Sequence, residues 1–541
     1  MSVIKTVCVR EFGILPDTGL DCSESVRAML AEHSKNCTFL FEPGCYDFFY
    51  QNALRQPYAL SNTIWLDERK IAILLKNMKN IVFDGQGAML LFHGQMIAVA
   101  ADHCEALTIR NLRFDWSVPL SAEGTVLHNT GDTADLVIDQ RFFPCTERNG
   151  VLWFQMEDGE TELAICAHSE FEAGSMKMAI GGGDAFRPTT VKQLESGVFR
   201  FCGDFSHCAK PGNIIVLRHT PRTHCCLFAE KCKDTIFCNL TIHNSGGLGI
   251  LAQFCEALHF EGVRFLPNRI RGRRVLSGHD DGLQLSNNRG NITVERCYFY
   301  GLMDDPINLH GTYIKVSGTA GDRTLRGRFM HEQSTGFRCW AEPGDQLALT
   351  DPDTLVEIGA ATVESYGLTG RDECLIALTE PLTTKLCPCC IVENVSNTAA
   401  LTCRSNVFGS CRGRGLLVTT RQRVLIEHNL FESSGAAILI SGDACSWYES
   451  GPCCDVLVRR NIFTDRCGTS VYGRPAGTIS ICPEIKQKGE MKPFHRNIRI
   501  EDNDFYAYQM PILDTLGADV TFFGNRILRS TITYDIGETV G

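Results

Sequence analysis

One short pattern keeps returning along this chain: alternating β-branched or apolar residues, then an asparagine or small residue, then an aromatic or apolar one. It reads LTIRNLRF at 107–114, ITVERCYF at 292–299 and VLIEHNLF at 424–431. It returns as VLVRRNIF at 456–463, IRIEDNDF at 498–505 and VTFFGNRI at 520–527. The two-residue period is that of a strand, and the residue that ends it tolerates left-handed backbone geometry. Uninterrupted copies lie 23 residues apart (Asn406 to Asn429) and 22 apart (Asn503 to Asn525). Such a period holds one coil of about three short strands with their turns. The pattern therefore predicts a right-handed parallel β-helix, with equivalent asparagines stacked as a hydrogen-bonded ladder and apolar side chains stacked inside.

A length of 541 residues would ordinarily mean several domains, but a solenoid grows by adding coils rather than cores. The opening segment, 11–48, contains a capped amphipathic helix near 23–34, then a strand and a Pro-Gly turn. It resembles the start of pectin-lyase-like β-helices, where a helix covers the open end that would otherwise expose the apolar interior. Two stretches interrupt the repeat. Residues 118–217 are mixed, with alternating strands and the Gly181-Gly182-Gly183 run; 315–393 alternate again at 322–328, 346–350 and 374–380. Both are expected to be small β-barrel or sandwich modules inserted at coil turns, since long unstructured stretches are uncommon. The expected division is 1–117 for the cap and first coils, 118–217 for the first module, 218–314 for the acid-bearing coils, 315–393 for the second module and 394–541 for the last coils.

A net charge of −11 and a pI near 5.8 argue against nucleic acid as the main partner, because phosphate binding needs a basic face. A neutral sugar suits such a surface better, although a local basic cleft can override the net value. No stretch is apolar enough for a membrane span. The N-terminus lacks the apolar core and cleavage site of an export signal, which predicts a cytoplasmic protein. The 27 cysteines are scattered, odd in number and often inside strand-like runs, so they are expected to be reduced core residues. The Cys387-Pro-Cys-Cys390 stretch is a weak zinc or redox signal without a partner pair, and no cofactor is expected.

The densest polar cluster is HDDGLQLSN at 279–287 followed by GLMDDPINLHGTY at 301–313. Asp281 and Asp304 are 23 residues apart, and Asp280 and Asp304 are 24 apart (304−281 and 304−280). Each interval is one coil, placing the acidic sites on neighbouring rungs about 4.8 Å apart. Carboxylates so close repel and raise the pKa of at least one of them. One protonated and one ionised carboxyl group is what acid–base glycoside hydrolysis requires. Aspartates also fill β-helix turns, and paired acids also bind calcium. Asp304 and Asp305 cannot both face outward from a regular strand, but Pro306 places them at a corner or edge.

HDDGLQLSN, GLMDDPINLHGTY and the later ISGDACSWYESGP at 440–452 resemble glycoside hydrolase family 110, the exo-α-1,3-galactosidases. The likeness extends over most of the chain. It implies a β-helix with inserted β-barrels, metal-independent hydrolysis with inversion, and removal of terminal α-1,3-linked galactose from B-type or linear glycans. Family 28 polygalacturonases, with a similar aspartate trio on the same solenoid, offer a mechanistic analogy. By this resemblance Asp304 is the general acid, and Asp281 and Asp305 hold and deprotonate the attacking water. An inverting site needs its carboxyl groups about 6.5–9.5 Å apart, and adjacent coils with a diagonal offset are expected to provide that spacing.

Asp280, Asn308 and His310 are further candidates for holding sugar hydroxyls. Asp443, Trp447 and Glu449 lie in one Gly-flanked loop, where the Trp447-Tyr448 pair suits the apolar face of a galactose ring. Arg412, Arg414 and Arg421 fall beyond the acids and are candidates to reach the cleft, as is Glu484, for which no spacing speaks. The expected partner is a galactose-terminated oligosaccharide, with a homodimer through the inserted modules as a further expectation. Two rivals remain on sequence grounds. A polysaccharide lyase would act on uronates with calcium and a basic proton abstractor. A non-catalytic glycan-binding β-helix would not need its aspartates.

Overall fold

Each coil contributes three short strands separated by corners, as in Val424–Glu427, Leu430–Phe431 and Ile438–Ile440. The structure is a computed structural model, which describes residues 4–528 except 165, 220–221, 383–389, 471, 473–476, 487–492, 507–509 and 516–517. Equivalent strands of successive coils pair in parallel: Val424 lies beside Val456, Val456 beside Ile498, and Ile498 beside Val520. The chain is thus a parallel β-helix. One continuous apolar core runs through its coils, from Val7 to Phe505.

The repeated pattern accounts for the corners, with one correction. At the later corners the asparagine is not the left-handed residue; the position before it is, at Ser405, His428, Arg460 and Asp502 (φ 53–57°), whereas in the 107–114 copy Asn111 itself is (φ 56°). This turn points the asparagine inward. Asn406, Asn429, Asn461 and Asn503 are buried. Each donates its backbone N–H, at 2.9 Å, to the side-chain oxygen of the next asparagine down to Asn525. Each side-chain amide donates to that same oxygen at 2.9–3.0 Å. Two residues further on, Phe408, Phe431, Phe463 and Phe505 stack with ring centroids 4.4–5.0 Å apart, adding about 0.5–1.5 kcal/mol per pair beyond their burial.

Cysteine takes the asparagine's place at another corner. The Cys104 and Cys232 backbone N–H groups face the Sγ atoms of Cys232 and Cys255 at 3.5 and 3.4 Å. The Cys255 N–H donates to Asn288 Oδ1 at 2.8 Å. The described cysteines other than Cys390 are free thiols, and most are buried; Cys387 and Cys389 of the CxxC stretch lie outside the described residues.

The helix Ser23–Glu32 packs Val26, Met29 and Leu30 into the first coils. Asp21 caps it, accepting from the Ser23 N–H at 2.9 Å and its hydroxyl at 2.6 Å. Between Trp116 and His224 the chain leaves the solenoid to form a six-stranded antiparallel sheet and a three-stranded one. It leaves again after Thr312 and closes a barrel of Ile314–Thr319, Thr324–Arg328, Glu373–Leu378, Glu357–Leu368, Gln346–Thr350 and Ile391–Asn394. The coil register survives both departures: Lys233 pairs with Glu105 across the first, and Gly290 with Ala399 across the second.

Candidate active site

Leu283 pairs with Ile307, and Ile307 with Leu416, on three successive coils. Two residues before each partner stand Asp281, Asp305 and Arg414, which therefore form one column at a corner of the solenoid. Backbone hydrogen bonds lock it. The Asp305 N–H donates to Asp281 Oδ1 at 3.0 Å, and the Arg414 N–H to Asp305 Oδ1 at 2.6 Å. Arg414 Nη2 lies 3.0 Å from Asp305 Oδ2. Gly413 makes this approach possible, because a Cβ there would sit 2.3 Å from Asp305 Oδ1.

Asp304 lies beside the column, ahead of the strand Ile307–Thr312, so strand alternation does not constrain the pair. Its side chain is 14% exposed, against 4% for Asp281 and 1% for Asp305, which makes it the aspartate most open to a ligand. Arg222 Nη1 reaches Asp281 at 3.1 Å and Asp304 at 3.6 Å, while Arg412 Nη1 reaches the other Asp304 oxygen at 3.6 Å. One oxygen from each aspartate lies within 4.8 Å of the others. The wide carboxyl spacing expected from sequence is not what the corner gives, because the backbone bonds draw the coils' acids together. A cation at the trio would have to displace Arg222 and Arg414, which already neutralise it.

Burial pushes Asp305 up to about 7, aided by the Asp304 charge and opposed by Arg414. Burial, the Asp304 charge and then Asp305 raise Asp281 well above the usual carboxylate range despite Arg222. Asp280 goes the other way. Burial alone would favour its neutral acid, but His279, Arg218 and Arg222 outweigh it and hold the carboxylate well below its ordinary range. Neighbouring aspartates in one loop are thus driven apart, a pattern that clusters at reactive sites.

The trio forms the base of a cavity of about 100 Å³, whose walls include Asn62, Asn308, Trp447, Glu449, Tyr472 and Glu484. Asn62 and Asn308 both donate to Glu449 Oε1, at 3.2 and 3.3 Å. Trp447 stacks on His331 at 4.0 Å between centroids and lies 5.6 Å from the Arg222 guanidinium. Asp443 touches the cavity, but it accepts the backbone N–H groups of Cys445, Ser446, Trp447 and Tyr448. Its carboxylate shapes the tryptophan loop.

Three sequence candidates sit elsewhere. Asp280 is buried against Arg218 and His279 behind the cavity. His310 is buried too, its ring nitrogens 2.7 Å from Gln284 Nε2 and from the Gly311 carbonyl. It alternates with the core residues Ile307 and Leu309, so it shares the outer side of the strand with Asn308, and its Nε2 lies 3.7 Å from Glu449 Oε1, behind the cavity wall. Arg421 joins Glu393 at 2.7 Å and Glu357 at 3.0 Å, bolting the barrel to the solenoid. Arg414 and Glu484 do line the cavity, whereas Arg412 stands behind Asp304. Arg222, Asn62 and Tyr472 escaped sequence reasoning. Each comes from a segment outside the repeat, where no period places it; Tyr472 accepts from Arg414 Nη1 at 2.6 Å.

The family model described as GLAA-B beta-barrel domain I matches residues 122–215, and GLAA-B beta-barrel domain II matches 324–388. The chain is 34% identical over 536 residues to alpha-1,3-galactosidase B of Bacteroides thetaiotaomicron, covering 97% of this chain and 86% of that protein. It is 30% identical over 545 residues to alpha-1,3-galactosidase A of Bacteroides fragilis, covering 98% and 88%. Among solved structures, the A-module of the Azotobacter vinelandii mannuronan C-5 epimerase AlgE4 is similar at a TM-score of 0.41 and 11% identity, covering 96% of this chain and 95% of that one.

Proposed function

The chain belongs to glycoside hydrolase family 110, the α-1,3-galactosidases, and from that premise we propose an inverting exo-enzyme that releases terminal α-1,3-linked galactose at the Asp281–Asp304–Asp305 corner. The observation that carries this reading is the trio itself: three carboxyl groups from two neighbouring coils at the base of a small walled cavity. A small cavity suits one terminal sugar better than an internal stretch of polymer. Six carboxyl groups line it (those of Asp281, Asp304, Asp305, Asp443, Glu449 and Glu484) against the two guanidinium groups of Arg222 and Arg414. Such a field repels a uronate and accepts a neutral galactose, which disfavours the lyase reading.

Asp304, the most open of the three, protonates the leaving glycosidic oxygen. Asp281 and Asp305, joined through the Asp305 N–H, hold and deprotonate the water that attacks the anomeric carbon. Trp447 offers its ring to the apolar face of the sugar, and Glu449, held by Asn62 and Asn308, accepts from hydroxyls. With the carboxyl oxygens this close, the water sits at the rim of the trio and not between widely opposed acids.

That same closeness favours a second reading, retention through a galactosyl-aspartate, whose carboxyl groups stand about 5–5.5 Å apart. Proton NMR of the first product from Galα1-3Gal and from a B-type trisaccharide separates the two. β-Galactose appearing first supports inversion, and α-galactose appearing first overturns it. Release from neither substrate overturns the substrate assignment, and the ratio of the two rates reports the branched or linear preference.

A further inference from the structure

A much larger opening, about 940 Å³, lies between the first coils and the closed barrel. Loop 56–67 supplies one wall and the barrel segments 336–339 and 367–371 supply another. Trp65 is half-buried there with its ring over Gly336, where a Cβ would come within 2.4 Å of the indole. The Arg371 guanidinium lies 5.8 Å from the same ring.

The carboxylates of this cleft are already engaged. Asp102 accepts the Tyr58 hydroxyl at 2.7 Å, lies 2.9 Å from Lys76 Nζ, and pairs with His103. Asp67 accepts the Trp65 indole N–H at 3.1 Å. Glu230 accepts from Gln253 at 2.8 Å, and burial pushes it up to about 7. Arg338 and Arg371 are exposed, and among the described residues neither has a carboxylate partner. The cleft thus presents two guanidinium groups without a carboxylate partner, one of them beside the indole whose N–H holds Asp67, in a chain of net charge −11.

Solvated arginines are common on surfaces. These two differ by sharing a deep concavity with an aromatic platform at the joint of two modules, where binding sites concentrate. Guanidinium groups pair bidentately with carboxylate or sulfate, and an indole covers the apolar face of a pyranose. We propose that this cleft is a second saccharide site, selective for sugar residues that carry a carboxylate or a sulfate. The catalytic cavity, ringed by acids, repels those same residues, so the two sites take different parts of a mixed glycan.

Binding to the full chain is measured by calorimetry with 3′-sialyllactose, lactose 3′-sulfate and neutral lactose. At least one anionic sugar is expected to bind at least about tenfold more tightly than lactose, and which one binds identifies the carboxylate or the sulfate as the natural group. Arg338→Ala with Arg371→Ala is expected to weaken that binding at least about tenfold, while Galα1-3Gal hydrolysis and the thermal midpoint stay unchanged. Should the double variant lose its fold, Arg371→Gln alone carries the comparison. Absence of binding by both anionic sugars, equal binding of lactose, or binding indifferent to the arginines overturns the proposal. None of these outcomes depends on the galactosidase reading, since binding is read directly.

Discussion

Asp304 and Asp305 are adjacent in sequence but differ in what surrounds them. Asp305 is closed in, with its oxygens facing the Arg414 backbone N–H and guanidinium, and burial places it at about 7. A base must be ionised to accept the water's proton. With Asp305 in that role, kcat/KM falls as pH drops below about 7, the apparent value belonging to the coupled trio. Were Asp305 the acid, activity would instead fall as pH rises through the same range. pH–rate profiles on Galα1-3Gal are expected to show the acid-side limb. Asp304→Asn is expected to keep that limb but move it to lower pH, because the Asp304 charge no longer lifts Asp305, while lowering kcat about 10²–10⁴-fold, the usual contribution of a general acid. The one-coil interval made the acids legible in sequence. Their true partners are Asp281 with Asp305, however, because register follows the strands Leu283–Ser286 and Ile307–Thr312. Arg222 was not legible: it lies 59 residues from Asp281 at the exit of an inserted module, where nothing in the repeat points to it.

At the scale of the element, the asparagine ladder explains why the pattern could be read at all. Each coil must satisfy a buried corner N–H, and a stacked asparagine does so with one oxygen accepting twice from the coil before it. Asn461 takes both donors of Asn429 and gives its own amide to Asn503 and the Ile426 carbonyl. Asn461→Ala leaves the Asn429 donors buried without a partner, at about 1–3 kcal/mol for each unpaired group. Urea unfolding is expected to show that loss as a lower midpoint with an unchanged slope. Ile462→Ala, at a neighbouring side chain 43% exposed, is expected to cost much less; equal losses would mean that the ladder is incidental. The first coils were harder to read because cysteines stand in for asparagines, and a thiol in a strand looks like any small apolar residue. The inserted modules announced themselves only as interruptions, since antiparallel strands of irregular length have no shared period.

Across the whole molecule, the solenoid supplies the acids while both inserted modules press upon them. From the first, Asp184 grips Arg412 at 2.5 and 2.7 Å, and Arg412 in turn faces Asp304. From the second, His331 stacks on Trp447, and Gln333 accepts from Arg222 at 3.3 Å. Arg421 also joins the second module to the coils, but outside the lining of the cavity, against the fully buried Glu393. These two ion pairs should therefore fail in different ways. Arg421→Ala strands a buried carboxylate, which costs about 3–5 kcal/mol when a buried pair is broken, and it leaves kcat/KM on Galα1-3Gal nearly unchanged. Asp184→Ala frees Arg412 to close on Asp304. It is expected to lower kcat by the worth of a charged hydrogen bond, about 1.5–3 kcal/mol or tenfold and more, with KM little altered. Thermal denaturation alongside steady-state kinetics of both variants tests the contrast. If Arg421→Ala lost activity while remaining folded, that arginine would have a part in the site that its place outside the cavity lining denies it. If Asp184→Ala turned over like the parent, the first module would serve only to wall the cavity, and the acids would be set by the coils alone.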